Sequence, residues 1–364
     1  MKKTFFLFWC FFFLGLQIGE AHRPHDAIFA MAVSPQTQEE NELICSLNHL
    51  TLHILRSKNN GNSWNPLQTG LTHKGVTTLV YSPVYETDST IFLGTIDGRI
   101  YRYSGDEIWQ LVAEGLGSKV TCIAIPPTFN SDQTVFAGTY GAGIYMSTDG
   151  GDSWTPTSNG LTNLRINSLA ISPNFPQDQT IYAGSNKWNG GIFKSTDAGA
   201  SWVLLQDRLK GETIRCVFIS PSFSDDGEIF AGTDGSGIFK SSYAGTTWEQ
   251  VNNGITDLNI TALAISPNFS QDQTVVATGK DTGVFKSIDG GNVWQLLDLG
   301  LEERSKQAYG DIHFLNLAFS PNYENDQRIY VGMFEGLFVT DDGGLSWRQL
   351  NVYQPQLARS ITIS

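Results

Sequence analysis

Basic side chains are scarce in this sequence, and so are cysteine, methionine and histidine. Lys and Arg number 23 against 36 Asp and Glu, for a formal net charge of −13. Nucleic acid and anionic membranes are held by clustered cations, so neither is expected as a partner. Four cysteines in 364 residues are too few for a disulfide framework. They form neither a CxxC pair nor a Cys/His cluster with metal-ligand spacing, so no metal and no cofactor is expected. Charged residues are only 16% of the chain, whereas glycine is plentiful at 37 residues and apolar side chains make up 40%. That balance excludes disorder and points to a sizeable core joined by many tight turns.

The N-terminus reads as a targeting segment. Lys2 and Lys3 precede a nearly continuous apolar run from Thr4 to Ile18, and Gly19-Glu20-Ala21 supplies small residues for cleavage. The pattern predicts a secretory signal over residues 1–21, cut before His22, leaving 22–364 as one soluble domain that is secreted or periplasmic and monomeric. Cys10 lacks the small residues that would precede it in a lipoprotein signal. Cys45, Cys122 and Cys216 remain after cleavage, an odd number, each in an apolar strand-like segment where cysteine acts as a small hydrophobe. A free amine at His22 near His25 resembles a copper-binding end, yet no further ligand accompanies it.

Self-similarity decides the architecture. The octet Ser147-Thr-Asp149-Gly-Gly151-Asp-Ser-Trp154 recurs from Ser195 (Asp197, Trp202), from Ser287 (Asp289, Trp294) and from Thr340 (Asp342, Trp347). Weaker copies carry Asn59 with Trp64 and Tyr243 with Trp248, and a seventh keeps little beyond Trp109. The seven tryptophans recur at intervals of about 45 to 53 residues. Each octet suits a hairpin closure: the Asp carboxylate accepts backbone N–H groups, glycine takes a positive φ, and the Trp packs between sheets. Tyr243 cannot supply the carboxylate, so Gly245 and Trp248 are left to hold that turn.

A second motif has the same period. An apolar strand leads to Ser-Pro-Asn-Phe, then an Asp, then another apolar strand, as in Ile171-Ser-Pro173-Asn-Phe175 before Ile181-Tyr-Ala-Gly184. Together the motifs give four short strands per unit, for example Ser168 to Ser172, Thr180 to Gly184, Gly191 to Ser195 and Ser201 to Leu205. Four strands every 45 or so residues predict an all-β, seven-bladed propeller of four-stranded antiparallel blades. The tail from Arg359 to Ser364 resembles an innermost strand, although seven such strands already exist.

These octets resemble the Asp-box, or BNR, repeats of sialidases, sortilin-type receptors, oligoxyloglucan-specific glycoside hydrolases and photosystem II stability and assembly factors. The resemblance covers residues 26 to 350 and implies the propeller fold, while the families' activities differ. A sialidase site implies a Phe/Tyr-Arg-Ile/Leu-Pro motif introducing an arginine triad. None is present; Arg99-Ile-Tyr and Arg165-Ile-Asn lack the proline. Oligoxyloglucan hydrolases place acid and base carboxylates on two facing propellers, of which this length supplies one. The photosystem factors use arginines on one face to dock membrane proteins, for which Arg99, Arg165, Arg215, Arg304 and Lys210 are the available cations. No catalytic residue is assigned.

In such a ring the loops from second to third strands share a face with the connectors between blades, opposite the octets. Most are short, for example Thr95 to Gly98, or contain one distinctive residue: Tyr140, Asp234, Asp281 and Glu335. One is enlarged, Ser185-Asn186-Lys187-Trp188-Asn189. Trp188 is the one tryptophan outside the octets and the N-terminal segment, and with polar neighbours it suits stacking on a sugar or anchoring a protein. The connector Gly300 to His313, containing Arg304, is the longest and most charged. The reading is a non-catalytic binding or assembly propeller taking a protein or carbohydrate ligand through this face, the alternative being a glycoside hydrolase acting on extracellular polysaccharide.

Overall fold

Ile166–Ile171 alternates its side chains along an antiparallel pairing with Ile181–Ser185, which pairs in turn with Ile192–Ser195 and then Val203–Leu204. The computed structural model describes residues 27–35, 40–47, 53–72, 75–205, 208–297, 314–333 and 336–352, and repeats this four-stranded unit seven times. In every blade the four strands are consecutive in the chain. The architecture is the expected seven-bladed propeller. Residues 1–26, the connector 298–313 with Arg304, Glu335 and the tail 353–364 lie outside the described residues.

The octet turn is built as its composition dictates. Ser147 Oγ donates to Asp149 Oδ1 at 2.7 Å and accepts from Gly151 N at 2.8 Å, while Asp149 Oδ1 accepts from Ser153 N at 2.9 Å. Hydrogen bonds from the Ser153 hydroxyl and N–H hold the Asp149 carboxyl down at about 2. Asp197, Asp289 and Asp342 accept the same backbone donor four residues on, and so does the amide oxygen of Asn59. In blade 5 Ser241 Oγ accepts from Gly245 N at 3.0 Å and Trp248 Nε1 donates to Gly245 O, so serine shares the work with the glycine and the tryptophan.

The octet tryptophans divide into two sets. Trp64, Trp154, Trp248 and Trp347 donate Nε1 to a glycine carbonyl of their own turn. Trp109, Trp202 and Trp294 donate across the seam to Leu67, Thr157 and Val251 of the preceding blade. The set alternates from blade to blade, so seams 1–2, 3–4 and 5–6 carry a bond that the others lack.

The Ser-Pro-x-aromatic motif forms one helical turn, as in Phe175–Asp178. Ser172 Oγ donates to Asp178 Oδ2 at 2.6 Å, and Asp178 Oδ1 accepts from Thr180 N at 2.8 Å, fixing the exit into the second strand. Phe175 is buried and meets Phe136 of the preceding blade edge-on at 6.2 Å. The repeats of this contact are Phe129 on Phe92, Phe223 on Tyr182 and Phe269 on Phe230.

Side chains close the seams. A Cβ at Gly184 would sit 2.7 Å from Ile214 Cγ2, so glycine in the second strand lets the next inner strand approach. Cations one residue before the octet reach the following turn: Lys194, Lys240 and Lys286 donate to the carbonyls of Ala244, Gly290 and Gly343. Arg56 instead grips Glu42 through two bonds of 2.9 Å, beneath the hydroxyls of Tyr85 and Tyr103. The ring is closed by blade 7 against blade 1, where Asn316 Nδ2 donates to Ile28 O at 3.0 Å and Asn41 Nδ2 donates to Ser320 Oγ and Tyr330 OH. Among the described residues no strand is exchanged to make this closure. Cys45, Cys122 and Cys216 are free, and burial pushes the last two thiols up to about 12.

Candidate binding face

Backbone hydrogen bonds assign the two faces. The N–H groups of Tyr140, Asn186, Asp234 and Lys280 donate to carbonyls of Lys119, Arg165, Thr213 and Asn259, stitching each second-to-third loop to the connector before its own blade. On the other side the octet turns bond the helical turns, as Ala198 N does to Gln179 O. Each inner strand also carries an extra residue near the connector face, where its register shifts. Such bulges aim side chains sideways: Thr121 Oγ1 and Asn167 Nδ2 bond the next blade's carbonyls of Ile166 and Ile214 at 2.7 and 2.8 Å.

The enlarged loop of blade 4 is the most built feature of this face. Trp188 and Asn189 both take positive φ, 72° and 59°, a conformation costing about 1–3 kcal/mol for each non-glycine residue. Buried Asn163 compensates: its amide donates to the carbonyls of Asn186, Lys187 and Trp188 at 2.7, 3.0 and 3.1 Å, and its own oxygen accepts from Arg165 N. Thr162 Oγ1 adds a bond to Asn189 O at 3.0 Å. The result holds the indole of Trp188 outward, 81% exposed.

Three blades contribute beside it. Asn186 Nδ2 donates to Tyr140 OH at 2.7 Å, and Asn186 Oδ1 accepts from Lys187 N and from Thr213 Oγ1. Asn186 is thus occupied as a strut that fixes Tyr140, which is 42% exposed. The Arg165 guanidinium lies over the Tyr140 ring, 5.7 Å from its centroid. The structure therefore brings together Tyr140, Arg165, Asn186, Lys187 and Trp188. Asn163 and Thr213, which sequence reasoning passed over, organise them; the signal for Asn163 is its shared place with Asp257 in the connectors Thr-Asn-Leu-Arg and Thr-Asp-Leu-Asn.

Asp234 adjoins this group, since its N–H donates to the carbonyl of Thr213, and the remaining described candidates belong to other blades. Asp234 is ion-paired with Arg215 at 2.7 Å, and Arg99 with Asp97 on blade 2. Asp281 belongs to blade 6, where its N–H donates to buried Asp257, which also accepts from Asn259 N and Thr282. Burial, reinforced by the like charge of Arg215, lowers the pKa of Lys119. The described arginines do not pool into one free patch, and the carboxylates Asp97, Asp234 and Asp257 are already engaged by cations or backbone donors. Among the described residues no group of three His, Cys, Asp or Glu is gathered to hold a metal, and no helix is long and apolar enough to cross a membrane.

The sequence matches no family model and no curated protein. Solved propellers share the fold. YCF48 bound to a D1 peptide is 16% identical with a TM-score of 0.61, over 86% of this chain and 93% of that one. A GH74 xyloglucanase from Xanthomonas campestris is 16% identical, and a GH74 enzyme from Niastella koreensis 21%, each with a TM-score of 0.68. Both alignments cover 89% of this chain but 54% of the enzyme, so the chain spans about half of each hydrolase. Propellers of this shape thus include proteins that bind and proteins that hydrolyse.

Proposed function

We propose that this protein is an exported, non-catalytic binding or assembly module of the Asp-box repeat superfamily, which takes a protein or glycan ligand through the face opposite the octet turns. The observation that carries this is Trp188, held 81% exposed in a strained loop whose three carbonyls are clamped by one buried amide. Strain maintained by the surrounding structure is a mark of a working site. Trp, Tyr and Arg are also the side chains that dominate interface energetics, and Trp188, Tyr140 and Arg165 lie together here. The peptide complex of YCF48 supports a protein segment as the ligand; export follows from residues 1–21 read as a signal, with N-terminal sequencing expected to begin at His22.

The test is a photo-crosslinking residue at Lys187 in protein expressed in its native envelope, with products identified by mass spectrometry. A stoichiometric protein adduct is expected, and Trp188→Ala should abolish it while leaving the melting temperature unchanged. Loss of stability with unchanged crosslinking overturns the site. The GH74 likeness keeps a second reading in view, a hydrolase acting on extracellular polysaccharide. Release of reducing ends from xyloglucan by purified protein would establish it; none is expected, because Asp97, Asp234 and Asp257 on this face are engaged by structural partners.

A further inference from the structure

The octet face carries a second surface, on blades 5 to 7. At the turn tips Tyr243 is 71% exposed, Ile288 70%, Val293 52% and Leu345 85%. Equivalent positions in the octets of blades 3 and 4 are polar or small: Thr148, Asp152 and Ser153, then Thr196, Ala200 and Ser201. The three turns are consecutive and tied to one another, since Lys240 of blade 5 reaches Gly290 O and Lys286 of blade 6 reaches Gly343 O. Each of the three adjoining turns thus presents at least one large apolar side chain to solvent on the same face.

Charge defines what covers them. The same three blades expose the carboxylates Asp225, Glu249, Asp289, Glu324 and Asp342. The nearby cations are turned inward or paired. Lys240 is buried against Glu228 at 2.8 Å, Lys286 is bonded to Gly343 O, and Arg328 and Arg348 both hold Asp341. What faces solvent is therefore apolar tips in an acidic field. We infer that this sector docks a cationic amphipathic segment of a partner protein, its apolar side chains seated among Tyr243, Ile288, Val293 and Leu345 and its Lys or Arg against the carboxylates of these blades. The surface is separate from the Trp188 face and would let the module hold two partners at once.

The experiment uses purified protein and a fluorescently labelled amphipathic peptide of leucine and lysine, read by anisotropy. Controls are a scrambled peptide of the same composition and a leucine–glutamate peptide of the same pattern. The variant Tyr243→Asp, Ile288→Thr, Val293→Ser and Leu345→Asp installs residues that blade 3 already carries at Asp149, Thr148, Ser153 and Asp152, so the turns remain closable. It also adds negative charge. Attraction by charge alone therefore predicts tighter binding by the variant, whereas apolar docking predicts a loss of at least about tenfold. We expect the loss, a similarly weakened scrambled peptide, and no binding of the glutamate peptide. Equal or tighter binding by the variant overturns the inference. So does a dimer that the variant dissolves, which would make a second copy the occupant, or flotation with phosphatidylcholine vesicles that the variant abolishes, which would make it a lipid surface.

Discussion

Asp149 shows how much one side chain decides. Its carboxylate accepts from the Ser153 N–H and from the Ser147 and Ser153 hydroxyls, all within four residues, which is why the octet is readable from sequence alone. A carboxyl held at about 2, as for Asp149 and Asp342, binds its proton less readily folded than unfolded. Its stabilising contribution is complete above the ordinary carboxylate pKa and is lost as pH falls through about 2. Thermal melts should therefore be flat near neutrality and decline in strong acid, and Asp149→Asn should make that acid decline shallower. Tyr243 gives the converse case. Restoring the carboxylate with Tyr243→Asp should raise stability by about 1 kcal/mol, the worth of a turn-closing hydrogen bond; calorimetry showing a lower melting temperature would contradict the octet's mechanical role.

At the scale of elements, the strand quartets and octet hairpins were legible because apolar alternation and turn residues are local signals. The enlarged loop of blade 4 was legible as an insertion around Trp188. Its internal economy was not: the Asn186 amide bonds Tyr140 and Thr213, 46 and 27 residues away. Asn163 was passed over for the same reason: its place matches that of Asp257 in the repeated connector, but the carbonyls it holds lie more than twenty residues on. Asn163→Ala should release three carbonyls at once and let Trp188 leave its positive φ. Iodide quenching of indole fluorescence, dominated by Trp188 in the parent, should change markedly, with a stability loss of about 1–3 kcal/mol. Unchanged quenching would mean that the loop holds itself. The cations before the octet, Lys194, Lys240 and Lys286, were likewise unremarked, because their acceptors lie a blade further on.

For the whole molecule the question is how the ring stays shut. Blade 7 meets blade 1 through Asn316 on Ile28 and through buried Asn41 on Ser320 and Tyr330, contacts spanning nearly the entire described chain. Asn41→Ala leaves Ser320 and Tyr330 without that partner and should cost about 2 kcal/mol. Hydrogen exchange should show the loss first in the inner strands Ile28–Val33 and Phe314–Phe319, because opening at this seam frees the ring's ends before its middle. Uniform loss of protection around the ring would instead mean that the blades open together.

The sequence by itself determined the number of blades, the strands within them and the side-chain chemistry of the Asp- and Asn-bearing octet turns, because those depend on residues a few positions apart. The tertiary structure decided the rest. It closed the seam between blades 7 and 1 with side-chain contacts, bonded Asn186, Asp234 and Asp257 to neighbouring groups, and set Trp188 beside Tyr140 and Arg165. It also gathered Tyr243, Ile288, Val293 and Leu345 onto one acidic sector. Each of these depends on atoms brought together from different blades, and a repeat pattern specifies the blade while saying little about what its neighbours place against it.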